Sequence, residues 1–156
     1  MKTIEAVRYK QRLDNLFECG SKFSDDIEML SHWAKYLCIM VSGFIETAVR
    51  ATYTAYARKK AAPYVANYAC AKLGKLSNPK MQDICELTRS FNETWGNRLE
   101  KATDGDIKDA VDSIVANRNQ IAHGRDVGMS FARVKKYYGS VVKMVEIVEA
   151  TLSEEP

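Results

Sequence analysis

Trp33-Ala34-Lys35-Tyr36-Leu37-Cys38-Ile39-Met40-Val41-Ser42-Gly43-Phe44-Ile45-Glu46-Thr47-Ala48-Val49 is the stretch that decides the fold: only Lys35 and Glu46 in it are charged. Its apolar residues fall on every face of a helical wheel, the pattern of a helix surrounded by others. The flanks extend it. Ser24 with Asp25, Asp26 and Glu28 supplies an acidic N-terminal cap, and Arg58-Lys59-Lys60 places positive charge at the other end, where the helix dipole favours it. A long central helix from about Ser24 to Lys60 follows, and the remainder of the chain is expected to wrap it.

The rest of the sequence supplies the neighbours. A polar segment from Thr3 to Cys19, anchored by Val7, Leu13, Leu16 and Phe17, stops at Gly20 and reads as an outer helix. Ala62-Pro63 opens a third helix and Gly74 closes it. Asn78-Pro79 opens a fourth, running through Ile84, Leu87 and Phe91 towards Gly96. Thr103-Asp104-Gly105-Asp106 caps the next, whose apolar stripe is Ile107, Val111, Ile114 and Ile121. Ser130 caps a last helix carrying Phe131, Val134, Tyr138, Val141, Val145 and Val148, which should lie along the central one before the acidic tail Glu154-Glu155-Pro156 frays. No strand, repeat or low-complexity linker interrupts this pattern. The fold class is therefore all-α, a bundle of about five or six helices.

Composition narrows the function classes. The 156 residues, 46% of them apolar, suit one helical domain spanning 1–156. A net charge of +3 is too slight to mark a nucleic-acid binder in bulk, so any such contact must come from local clusters of lysine and arginine. Cys19, Cys38, Cys70 and Cys85 are dispersed without a Cys-x-x-Cys pair, which predicts reduced, largely buried thiols rather than a zinc site. The charged start from Lys2 onward and the lack of a long uncharged apolar run predict a cytoplasmic protein without a membrane span.

Chemistry concentrates in Asn117-Arg118-Asn119-Gln120-Ile121-Ala122-His123-Gly124. Arg118 interrupts the stripe of Ile107, Val111, Ile114 and Ile121, where a guanidinium needs a partner or a wet cleft. His123, one of two histidines, lies one turn beyond Asn119, and Arg118 stands about 140° around the axis from His123. The pattern Arg118-Asn119-(three residues)-His123 late in a short helical chain resembles the Arg-x4-6-His motif of the HEPN superfamily. Ser42-Gly43-Phe44-Ile45-Glu46 fits the same resemblance, within the bacterial RiboL-PSP-HEPN branch.

The resemblance implies a metal-independent endoribonuclease, without cofactor, of the toxin or defence kind. His123 would supply acid-base function, Arg118 would face the phosphate in the transition state, and Asn119 would orient one or the other. It also implies a homodimer with both motifs in one cleft, and an antitoxin or adjacent-gene product as a possible partner. Glu46, a carboxylate in an apolar helix, is a supporting candidate through Arg118, although Arg50, four residues on, offers a local partner. RNA contacts are expected from Arg125, Arg133, Lys135 and Lys136, with Tyr137 and Tyr138 placed to stack on bases.

Blander readings stand beside these. His123 could simply answer a helix C-terminus, Arg118 could be a structural arginine, and most basic clusters are solvated faces. His32 has only its scarcity to recommend it. The alternative function is a catalytically silent HEPN-like binding module, the antitoxin or assembly partner of a nucleotidyltransferase or defence protein. A third is an unrelated helical interaction domain.

Overall fold

The structure, a computed structural model, describes residues 1–23 and 25–153. Ser24 and the tail Glu154-Glu155-Pro156 lie outside the described residues. Among the described residues seven α-helices form in chain order: α1 (Ile4–Gly20), α2 (Ile27–Lys60), α3 (Pro63–Leu73), α4 (Met81–Phe91), α5 (Glu93–Thr103), α6 (Asp106–Ala122) and α7 (Phe131–Thr151). A single 3₁₀ turn, Ser21–Phe23, links α1 to α2, and no strand occurs among the described residues. Among the described residues no helix is long and apolar enough to cross a membrane.

The central helix is 34 residues long, about 50 Å at 1.5 Å per residue. Asp26 caps it, accepting a hydrogen bond from the Met29 N–H at 2.9 Å, and Arg58, Lys59 and Lys60 occupy its last turn. Packed around α2 are α1, α3, α6 and α7, and α4 and α5 form a hairpin whose α5 leans on α7. Buried side chains from all seven helices join one core, with Leu37, Val41, Phe44, Ile45 and Tyr53 of α2 at its middle. The covering of α2 is not complete: Tyr36 and Ile39 remain partly exposed.

The helix count exceeds the expected five or six because the segment read as one helix up to Gly96 is two. At Asn92 the backbone is extended (φ −160°, ψ 123°), and its side-chain oxygen accepts from the Trp95 N–H at 3.1 Å, the geometry of an N-terminal cap. Gly96 is a contact glycine inside α5. A Cβ there would stand 2.9 Å from the Arg89 backbone nitrogen of α4, so only glycine allows the hairpin to close this tightly. Arg89 then pairs with Glu100 across the hairpin.

The start of α6 also differs from expectation. Gly105 at φ 80° is its cap residue and provides no side-chain bond, while the Thr103 hydroxyl donates back to the Leu99 carbonyl and closes α5. The boundaries at Pro63, Gly74 and Ser130 fall where the sequence places them, and Ser130 Oγ accepts from the Arg133 N–H at 3.2 Å.

All four cysteines are free thiols. Cys38 and Cys85 are buried, and Cys19 and Cys70 are half-buried. Burial pushes the Cys38 thiol up to about 12. That thiol donates to the Ile114 carbonyl at 3.6 Å, which fixes the level at which α2 and α6 meet. Lys35 Nζ lies 2.7 Å from Asp126 Oδ1 just beyond the end of α6, so the two helices run antiparallel.

Candidate functional site

The end of α6 is shaped by Gly124. Its φ of 70° is a left-handed conformation that costs glycine nothing, and the chain reverses there. The Gly124 N–H donates to the Ile121 carbonyl at 3.0 Å and the Arg125 N–H to the Gln120 carbonyl at 3.0 Å, the paired bonds of a Schellman termination. His123 is consequently the C-terminal cap residue, its backbone N–H shared between the Asn119 and Gln120 carbonyls at 3.2 Å each, with its side chain left in solvent. Among the described residues the imidazole has no hydrogen-bond or ion-pair partner.

Arg118 is half-buried, one turn past the buried Ile114. Its Nη1 donates to Asn119 Oδ1 at 3.3 Å, and among the described residues no carboxylate lies within ion-pair distance of it. The apolar stripe ends here: Ile114 and Val115 are buried, while Ile121 is only half-covered. A guanidinium at this level reaches water, so its place in the stripe avoids the penalty of a buried charge. Asn119 is half-buried and sits one turn before His123 on the same helix face. The Arg118 and Asn119 side chains are in direct contact, and the His123 imidazole stands above Asn119 without bonding to either side chain.

The expected link from Glu46 to Arg118 does not form. Glu46 Oε1 lies 3.5 Å from Arg50 Nη1, and its Oε2 accepts from the Asn78 N–H at 3.0 Å. Taking Cys38 and Ile114 as the common level, Glu46 and Arg118 diverge in opposite directions and end about 18 Å apart along the bundle at 1.5 Å per residue. Glu46 anchors instead the turn at Asn78, whose φ of 46° is the one left-handed non-glycine conformation among the described residues. Asp112 of α6 fastens the other side of that turn, accepting from the Met81 N–H at 2.8 Å.

Of the expected RNA-contact residues, Arg125 is exposed and folded back on the α6 terminus, its Nη1 donating to Gln120 Oε1 at 2.9 Å. Arg133, Lys135 and Lys136 are exposed on the first turns of α7. The stacking expectation fails for Tyr138. This residue is buried, stacked on Phe17 at 4.8 Å between centroids, and its hydroxyl donates to Asp14 Oδ1 at 2.7 Å. Burial and the Asp14 carboxylate raise its pKa. Tyr137 is half-buried against the same core. The 3.6-residue period that puts Tyr138 in register with Val134, Val141 and Val145 is that of the core face.

A neighbourhood that sequence reasoning missed surrounds the motif. Lys35 reaches Asp126, three residues past His123, and its hydrogen bond and charge hold the Asp126 carboxyl below the usual carboxylate range, with His32 a lesser cause. His32, exposed and one turn before Lys35 on α2, therefore lies at the same end of the bundle as His123. Nothing in the local sequence could have found this pairing, because it depends on the register of α2 on α6, and Lys35 and Asp126 are 91 residues apart in the chain. Among the described residues no three His, Cys, Asp or Glu side chains gather as a metal-binding group.

No curated protein and no solved structure matches the chain. The family model described as RiboL-PSP-HEPN matches residues 7–154, from the first helix to the end of the last. That match takes in the Ser42–Glu46 segment and the whole of the Arg118 to His123 motif, and the chain belongs to the RiboL-PSP-HEPN family.

Proposed function

We propose that this protein, as one domain over residues 1–156, is a metal-independent endoribonuclease whose reacting groups are Arg118, Asn119 and His123. The observation that carries the reading is the end of α6: an unbonded, solvent-facing imidazole one turn above an arginine and asparagine in contact, in a chain of the RiboL-PSP-HEPN family. RNA brings its own nucleophile. The 2′-hydroxyl loses its proton to a base, its oxygen attacks the adjacent phosphorus, and the bond to the 5′-oxygen breaks as that oxygen gains a proton. The products are a 2′,3′-cyclic phosphate and a 5′-hydroxyl.

The residues divide this work by chemistry. His123 carries protons, and the Arg118 guanidinium faces the charge that grows on the phosphate oxygens. Asn119 Oδ1 is taken by Arg118, which leaves its amide N–H groups to donate to the phosphate or to the imidazole. One imidazole cannot be base and acid in a single concerted step, so we assign the site to a two-fold homodimer in which both copies of the motif line one cleft. Arg125, Arg133, Lys135 and Lys136 would neutralise flanking phosphates. The biological setting that suits such an activity is a toxin or defence effector restrained by an antitoxin or other adjacent-gene partner.

The test is cleavage of RNA in the presence of chelator. Wild type should cut, and Arg118→Ala and His123→Ala should each lose at least a hundredfold, in keeping with removal of a proton carrier or a transition-state charge. Cleavage that requires added metal, or that survives His123→Ala, would overturn the proposal. A chain that binds a neighbouring protein and never cuts RNA would instead be the catalytically silent module.

A further inference from the structure

We propose that the outer face of α3, together with the end of α2 that leads into it, docks single-stranded RNA at a surface remote from the Arg118 to His123 motif. The choice of RNA as ligand rests on the ribonuclease reading; the surface itself rests on charge, exposure and shape.

Charge is the first observation. Between Thr47 and Gln82 the sequence holds seven lysines and arginines and no aspartate or glutamate, whereas the whole chain is only +3, so everything outside this segment is net negative. The slight bulk charge thus conceals a local concentration of positive charge, in which Arg50 is paired with Glu46, a carboxylate at the segment's edge, and a polyanion meets such a cluster favourably. Arg58, Lys59, Lys72 and Lys75 are all exposed there.

The second observation is what stands among those charges. Tyr64 is 88% exposed and Tyr68 65%, extreme values for aromatic rings, and Val65 beside them is 59% exposed. Tyr64, Tyr68 and Lys72 follow one another at intervals of four and so form a single row along α3. Lys72 Nζ sits over the Tyr68 ring, 5.2 Å from its centroid, so a cation and an exposed aromatic ring stand together, with the ring's other face left for a base. From Tyr68 and Lys72 a groove of about 500 Å³ continues between α3 and α4, floored by Leu73, Leu87 and Phe91 with Lys75 on its rim.

Open aromatic faces interleaved with cations are what unpaired bases and their phosphates require: each base has a face to stack, and each phosphate needs a counter-charge. A second copy of the chain is a poor occupant, since a two-fold contact would set this basic patch against itself. A lipid surface is also a poorer fit, because the row offers tyrosines beside a concave groove rather than a convex ridge of leucine and phenylalanine. A duplex has its bases hidden and cannot use the rings.

From His32, beside the motif, to Lys60 is about 40 Å along α2 at 1.5 Å per residue. The surface therefore governs how RNA is captured, and leaves the bond-breaking groups to the other end. Tyr64 and Tyr68 are positioning residues for substrate, and their loss should raise KM for long RNA while kcat holds.

The probe is a fluorescein-labelled 2′-O-methyl uridine 20-mer, which lacks the nucleophilic hydroxyl and survives wild-type protein. The full-length chain is titrated into it by anisotropy. Replacing both rings, Tyr64→Ala with Tyr68→Ala, should weaken binding at least tenfold with the thermal melt unchanged, as both side chains are exposed. Lys72→Ala with Lys75→Ala should lower the slope of log affinity against log salt by about 1.4, the value for two phosphate contacts on a single strand. Unchanged affinity in the tyrosine variant would overturn the proposal, as would equal affinity for a duplex or preferential binding to phosphatidylserine vesicles. Tyrosine-dependent binding by a protein that cuts no RNA would sink the ribonuclease reading alone. Chelator-resistant cleavage whose KM ignores both tyrosines would sink the docking surface alone.

Discussion

Arg118 stands where the stripe of Ile107, Val111 and Ile114 calls for an aliphatic side chain, and what it does there depends on the end of the helix rather than on its middle. The stripe loses its cover one turn past Ile114, and the guanidinium emerges beside Asn119 at 3.3 Å. Glu46 poses the same sequence-level question and has a different answer, holding Arg50 and the Asn78 N–H. The consequence separates structural from chemical roles. Glu46→Gln keeps an acceptor for Asn78 and weakens a part-exposed ion pair, so it should cost about 1 kcal/mol, or roughly 3 °C in a melt. Glu46→Ala leaves the amide unanswered and should cost about 2 kcal/mol. Both should leave the rate of RNA cleavage at 20 °C unchanged, and a loss of rate in folded Glu46→Gln protein would return Glu46 to the site.

Cys38 gives a pH signature of the same core. Its thiol stays protonated in the folded chain up to about 12 because burial opposes the thiolate, while an unfolded cysteine ionises near the ordinary thiol value of 9.0. Between those values the folded state binds the extra proton, so this group makes stability fall as pH rises, by up to one proton's worth of slope. Below pH 8 the contribution is flat. Urea titrations from pH 8 to 11 should therefore show a steeper decline for wild type than for Cys38→Ala, and parallel curves would mean the thiol is not shielded as described.

At the scale of elements, the sequence was most readable where a single residue type does a single geometric job. Pro63 can begin a helix and not continue one, Gly124 accepts a φ of 70°, and Ser130 offers an oxygen to the Arg133 N–H; each marks its boundary alone. Asn92 does the same kind of job for α5, but Phe91 and Trp95 continue the apolar period across it, so from sequence the segment reads as one helix. In space the two residues belong to different helices and both pack near Tyr56, Phe91 at 6.0 Å and Trp95 at 5.7 Å between centroids. Asn92→Ala removes the cap of α5 and should cost about 1 kcal/mol, read as an earlier melt, with hydrogen exchange rising first in Glu93 to Trp95. If Asn92→Ala instead stabilised the chain, α4 and α5 would be better described as one helix.

The motif and its neighbours were legible to different degrees for a related reason. Arg118, Asn119 and His123 share one turn and a half of helix, so their mutual placement follows from 3.6 residues per turn. Lys35, Asp126 and His32 meet only through the register of α2 on α6, which no local pattern encodes. Tyr138 reads as a stacking residue from sequence because aromatic residues next to lysines look alike whether they stack on bases or, as here, on Phe17. Tyr64 and Tyr68 are hidden from sequence reasoning for the converse reason: their spacing is that of a core face, and they stand open because no helix among the described residues covers them.

Taken as a whole molecule, the chain has two chemically distinct ends joined by α2: the α6 terminus with both histidines, and a basic, tyrosine-bearing end at α3. The dimer proposed above joins two copies at the first of these. A mixed dimer of Arg118→Ala and His123→Ala chains retains one arginine and one histidine on opposite protomers. It should recover part of the activity that each homodimer lacks, and light scattering should give twice the mass of 17.6 kDa for the active species. A fully active monomer would refute the shared cleft.

The central claim is that the α6 terminus breaks RNA by moving protons at the 2′-hydroxyl, and the ends of the product report on it directly. A 5′-labelled RNA cut in chelator should give a 2′,3′-cyclic phosphate on the labelled fragment and a 5′-hydroxyl on the other, and these ends should disappear with His123→Ala. Cleavage leaving a 3′-hydroxyl and a 5′-phosphate would mean that water or another nucleophile attacks the phosphorus, and would contradict the account.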